Sequence, residues 1–148
     1  MKVPSRKAAG AAEQRHYDLQ AERAKTSNVR DAFPEVNVIH VALDFTDPSG
    51  HAPSPQRHSL YPAARAFFRF ACPCADCDGD FNLSAAVTEL VKVGTSAKPK
   101  TGRAVTGRTL CHGTRWRDSD RSEPCRIELT FEIIVGIGSV IEEPGSAA

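Results

Sequence analysis

Cysteine placement constrains this chain more than any other feature. Three of its five cysteines fall within one short run, at Cys72, Cys74 and Cys77, and the other two stand alone at Cys111 and Cys125. A Cys-x-x-Cys pair on a tight turn supplies two thiolates, and distant cysteines complete a tetrahedral shell around a metal ion. Gly79 follows Cys77 by two residues, as Gly113 follows Cys111. A residue without Cβ lets the chain fold close to a sulfur and aim a backbone N–H at it. Cys111-His112-Gly113 thus shares the Cys-x-Gly grammar of the knuckle. Five cysteines fill one four-coordinate site and leave one thiol over. Cys77, Cys111 and Cys125 are expected ligands, and spacing favours Cys74 as the fourth. Cys72, which ends a strand-like run ahead of Pro73, is the rival for that place.

The ion expected is Zn²⁺. The basic opening, Met1-Lys2-Val3-Pro4-Ser5-Arg6-Lys7, leads into Ala, Glu, Gln, Arg and His rather than an apolar segment, which predicts no secretory signal and a cytoplasmic address. Cysteines there serve as metal ligands or free thiols more often than as disulfides. No run approaches the roughly 20 apolar residues that span a bilayer. With ten glycines, ten prolines and only 7% aromatic residues in 148, the chain is loop-rich and gains from a metal clip.

The periodicities predict an α+β domain over residues 11–138, between a disordered N-terminus at 1–10 and a flexible tail at 139–148. Residues 11–33 read as a helix, with Tyr17, Ala21, Ala24 and Val29 along one stripe, ended by Pro34. Residues 36–45 alternate as a strand, with Ile39, Val41, Leu43 and Phe45 on one face. Residues 47–62 carry four prolines and read as an irregular loop. Strands are expected at 65–72, 105–111 and 125–135, and a short helix at 83–93 with Ser84 as a possible cap. The sum is a mostly antiparallel four-stranded sheet with an N-terminal helix and one short helix, clipped by a zinc knuckle.

Strand parity says why the cysteines converge. Cys125 shares its numbering parity with Ile127 and Leu129, so it points to the core side, and Cys111 ends the preceding strand. An antiparallel hairpin of the two would set their thiols opposite each other. A hairpin facing a knuckle resembles a zinc ribbon over about residues 66–135. Zinc ribbons usually present two Cys-x-x-Cys knuckles, whereas here single cysteines on paired strands replace the second. The resemblance implies a structural zinc and no particular activity, because its motif serves many functions.

Between Leu90 and Arg117 there is no acidic residue. Lys98, Lys100, Arg103, Arg108, Arg115, Trp116 and Arg117 are the candidates for a phosphate-contacting surface there. A formal charge of +1 favours a solvated face instead, balanced by acids elsewhere. The five histidines lack the partners that general-base chemistry needs. Asp76, Asp78 and Asp80 surround the Cys-x-x-Cys run with negative charge, which argues against a redox pair and places them on an exposed turn. The sequence predicts a small zinc-binding interaction module that contacts protein rather than nucleic acid and no membrane. The alternative is a zinc-dependent enzyme with an open three-cysteine site.

Overall fold

The computed structural model describes residues 6–48, 53–74, 77–96, 103–116 and 122–137. Two helices open it, α1 (Arg6–Lys25) and α2 (Val29–Ala32). The strands are β1 (Val36–Thr46), β2 (Gln56–Leu60), β3 (Arg69–Ala71) and β4 (Asp80–Asn82), then β5 (Arg103–Leu110), β6 (Thr114–Trp116), β7 (Ser122–Pro124) and β8 (Glu128–Ile137). Between β4 and β5 runs α3 (Ser84–Ser96). The fold is α+β. A four-stranded sheet in the order β2-β1-β8-β5 is antiparallel throughout, and two small hairpins, β3-β4 and β6-β7, flank it.

The alternation in β1 and β8 decides which face is buried. Ile39 pairs with Val135, Val41 with Ile133, Leu43 with Phe131 and Phe45 with Leu129. Odd-numbered side chains of both strands therefore share one face, and most of them are almost fully buried. Leu83, Val87, Leu90 and Val91 of α3 and its lead-in cover that face, with Val29 of α2 and the aromatic rings of Phe68 and Phe81. On β5, Gly107 leaves room for the Phe131 ring, because a Cβ there would lie 2.5 Å from it. The even-numbered face, with His40, Thr106, Glu132 and Ile134, is exposed.

Three elements differ from the sequence reading. Residues 56–60 are not loop but the edge strand β2, paired with β1 from Leu43↔Gln56 to Ile39↔Leu60. The prolines at 53, 55 and 62 flank this run without entering it, and an edge strand needs ladder partners on one side only. The strand expected at 65–72 shrinks to β3, which pairs with β4 outside the main sheet. The single N-terminal helix is two, broken at Thr26-Ser27-Asn28. There Thr26 Oγ1 donates to the Arg23 carbonyl at 2.8 Å, a local bond that competes with the helix ladder. α1 starts at Arg6 rather than at residue 11. Tyr17, placed on its core stripe, is 61% exposed. At α3 the cap is Asn82 rather than Ser84: Asn82 Oδ1 accepts the Ser84 N–H at 3.0 Å. No described helix is long and apolar enough to cross a membrane.

Candidate metal centre

Two chain reversals build the centre, and they are alike. In the first, β3 leads into Cys72, the chain turns through Cys77 and Gly79, and β4 returns. In the second, β5 leads into Cys111, the chain turns through Gly113 and the β6-β7 hairpin, and Cys125 returns toward β8. Each turn glycine donates its N–H to the cysteine two residues before it: Gly79 to Cys77 Sγ at 3.2 Å and Gly113 to Cys111 Sγ at 3.3 Å. Each glycine carbonyl then accepts from the other cysteine of its half, Cys72 N–H on Gly79 and Cys125 N–H on Gly113, both at 3.0 Å. The expected hairpin between the later cysteines is present. It runs one step past the β5-β8 ladder, where Cys111 N–H donates to the Ile127 carbonyl at 2.9 Å.

The halves meet glycine to glycine. A Cβ on Gly79 would lie 2.4 Å from Cys111 Sγ, and one on Gly113 would lie 2.5 Å from the Gly79 backbone. Neither position calls for an unusual backbone angle; the need is close approach. Gly113→Ala is accordingly expected to force the halves apart and lower metal affinity by about 10–100-fold, a loss typical of disturbed supporting shells. Competition against a chromogenic chelator measures it, and an affinity equal to the parent's would refute the packing argument.

The sulfurs of Cys72, Cys77, Cys111 and Cys125 all lie within 4.8 Å of one another. Cys72 and Cys125 are 3.7 Å apart and Cys77 and Cys111 3.6 Å. A tetrahedral ion with metal–sulfur bonds of about 2.3 Å has sulfur–sulfur edges of roughly 3.8 Å. All four side chains are buried. The quartet contains Cys72, the sequence reading's rival ligand, and not Cys74, its preferred one. The physical reason is strand geometry: Cys72 follows directly on β3 and faces the core, while Cys74 sits half-buried on the turn. Local spacing alone misses this, because a Cys-x4-Cys pair closes as well once a hairpin brackets it.

Without an ion the quartet cannot hold four negative charges. Cys111 is drawn down to about 4 by hydrogen bonds from the Cys72 and Cys77 thiols. Cys72 is driven far up as the donor to the Cys111, Cys74 and Cys77 sulfurs. Cys77 is raised by its bond to Cys111, and Cys125 by burial. Cys74 falls to about 7 because it accepts from Cys72. A dication reverses the cost of ionising such a set. Because the metal-free chain is expected to unfold, its four ligand thiols return to the ordinary cysteine range and carry protons at neutral pH. Metal uptake should therefore release several protons, about four, and the affinity should fall steeply as pH is lowered. Calorimetry in buffers of different ionisation enthalpy counts the protons; release of one or none would contradict this charge arrangement.

Residues with no metal-ligand signature complete the surroundings. Arg15 of α1 donates through one guanidinium nitrogen to the carbonyls of Cys77 at 2.6 Å and Gly79 at 3.1 Å, gripping the first turn from outside. Asp78 Oδ1 accepts the Thr114 N–H at 2.7 Å and ties the two halves together. Asp80 makes a two-pronged bond with Arg69, at 2.9 and 3.1 Å. Asp78 and Asp80 are thus partnered rather than decorating an exposed turn, and Asp76 lies outside the described residues. Arg115 pairs backbone-to-backbone with Cys77 and its side chain meets Asp47 at 3.6 Å, with only 13% and 4% of the two side chains exposed.

That placement bears on the basic stretch. Arg115 points inward to a buried carboxylate, while Arg103 and Arg108 stand on opposite faces of β5, the latter 3.8 Å from Glu128. Lys98, Lys100 and Arg117 lie outside the described residues, as does the side chain of Trp116. The described members are not gathered into one surface. His112 is exposed and outside the quartet. No protein-family model matches the chain, and neither a curated protein nor a solved structure shows significant similarity to it.

Proposed function

We propose that this chain is a small zinc-binding protein in which Cys72, Cys77, Cys111 and Cys125 form a closed structural site, and that it acts by contacting another protein. The observation that carries the reading is the buried, mutually adjacent set of four thiols. Thiolate ligands in tetrahedral array suit zinc, and sulfurs this close enclose one ion rather than a multi-iron cluster. A catalytic zinc keeps an open position in a concave pocket. The cavity of about 420 Å³ beside α1 is lined by none of the four cysteines, which supports the closed reading over the three-cysteine enzyme.

The partner surface in this reading is the open face of the sheet, where Ile134 is 40% and Leu110 51% exposed. Among the described residues the arginines of the basic stretch are scattered and supply no matching field for a phosphate backbone. A double variant, Leu110→Asp with Ile134→Asp, is expected to keep its metal and melting behaviour while losing the protein captured by the parent chain in cross-linking. Single-stranded oligonucleotides at near-physiological salt should leave the emission of Trp116, the only tryptophan, unchanged. Capture that survives the double variant, or quenching with retention of oligonucleotide, would contradict the proposal.

A further inference from the structure

The cavity beside α1 has a cause in how that helix is held. Of its described side chains only Arg15 and Leu19 are even half-buried, so the described part of α1 presents no apolar stripe to the body of the fold. Among the described residues two polar contacts hold it: Arg15 on the first metal turn, and Glu22 on Arg69 at 3.1 Å. A helix attached at two polar points bridges a hollow rather than filling it. The hollow, about 420 Å³, lies between α1, β2, the segment before β3, and β3 itself. That volume falls in the range of small-molecule sites.

Its lining divides into an apolar floor and a cationic rim. Phe67, Phe70 and Leu60 contribute the floor, and the His58 ring lies 4.9 Å from that of Phe70. The charged residues of the lining are Arg23, Arg65 and Arg69, with no carboxylate among them. Arg69 is committed to Asp80 and Glu22. Arg65 spends one N–H on the Thr26 carbonyl at 2.6 Å and keeps the rest of its fork. Arg23 has no side-chain partner among the described residues. Two guanidinium groups with donors to spare, at the mouth of a cleft with an aromatic floor, match a planar or apolar body carrying a dianionic head.

We propose that this cleft binds an organic phosphate of about nucleotide size, its phosphate held by Arg23 and Arg65 and its ring against Phe67 and Phe70. The metal centre supports one wall of the cleft through Arg15, so the site exists only in the metal-loaded fold.

The test is calorimetric titration of the metal-loaded protein with adenosine monophosphate and phenyl phosphate, beside adenosine and inorganic phosphate, at near-physiological salt. At least one of the two phosphate esters should bind saturably, at least about tenfold more tightly than adenosine or free phosphate, since head and body contribute together. Arg23→Gln with Arg65→Gln should weaken that ester by about tenfold or more while the metal content stays at the parent's value. Neither ester binding saturably, esters binding no better than adenosine, or affinity unchanged in the double variant would each overturn the proposal. The metal content reports separately on the four-cysteine site, so the two readings fail independently.

Discussion

Stripping the metal with a strong chelator should unfold the sheet, not merely loosen a loop. The quartet joins two hairpins that also meet through the Asp78–Thr114 bonds, the Cys77–Arg115 bridge and the glycine-to-glycine contact, and one of them is the end of the β5-β8 ladder in the main sheet. Metal binding to such a site contributes on the order of 10 kcal/mol of folding free energy, as much as the whole net stability of a domain this size. Cys72→Ser, Cys77→Ser, Cys111→Ser and Cys125→Ser should each abolish stable metal binding. Cys74→Ser should be mild, because its thiol is half-buried beside the quartet rather than in it. Circular dichroism melts with and without chelator read the outcome. A metal-free protein with its strand signal and melting temperature intact would remove the structural role.

The second large effect is expected at a residue pair that binds no metal. Asp47 is almost wholly buried and Arg115 largely so, with the two charges 3.6 Å apart. Removing one member of a buried charge pair typically costs about 3–5 kcal/mol. Arg115→Met should have that effect, with an added loss of metal affinity because the Arg115 backbone is bridged to Cys77. Replacing both, Asp47→Asn with Arg115→Met, should recover much of the stability, since the two charges are removed together. Urea unfolding of the two variants beside the parent provides the comparison. If Arg115→Met unfolds at the parent's midpoint, the pair carries no weight in the fold.

Alternation and the cysteine grammar made the heart of the fold legible from sequence. The register of β1 against β8 follows from Ile39, Val41, Leu43 and Phe45 facing Leu129, Phe131, Ile133 and Val135, a pattern with period two that only a half-buried strand satisfies. The Cys-x-Gly spacing announced the first turn and recurs at Gly113, and the N–H bonds of Gly79 and Gly113 to the sulfurs are what that spacing implies. What was illegible depends on tertiary placement. β2 looks like loop because its own five residues carry no alternating apolar face, and its ladder comes from β1. The choice between Cys72 and Cys74 turns on which side of β3 the chain leaves, a matter of two residues that spacing rules cannot resolve. Arg15, Asp47 and Arg115 are ordinary charges in the sequence. Their roles arise only when residues more than 60 positions apart, as with Arg15 and Cys77, are brought within hydrogen-bonding distance.

The central claim is a closed four-cysteine site made by Cys72, Cys77, Cys111 and Cys125, and the Cys74→Ser protein tests it most directly. Metal analysis with X-ray absorption at the zinc edge should find one zinc per chain, surrounded by four sulfurs at about 2.3 Å and no lighter ligand. Loss of the metal from that variant, or a shell of three sulfurs with a nitrogen or oxygen in the fourth place, would contradict the assignment and reopen the catalytic reading.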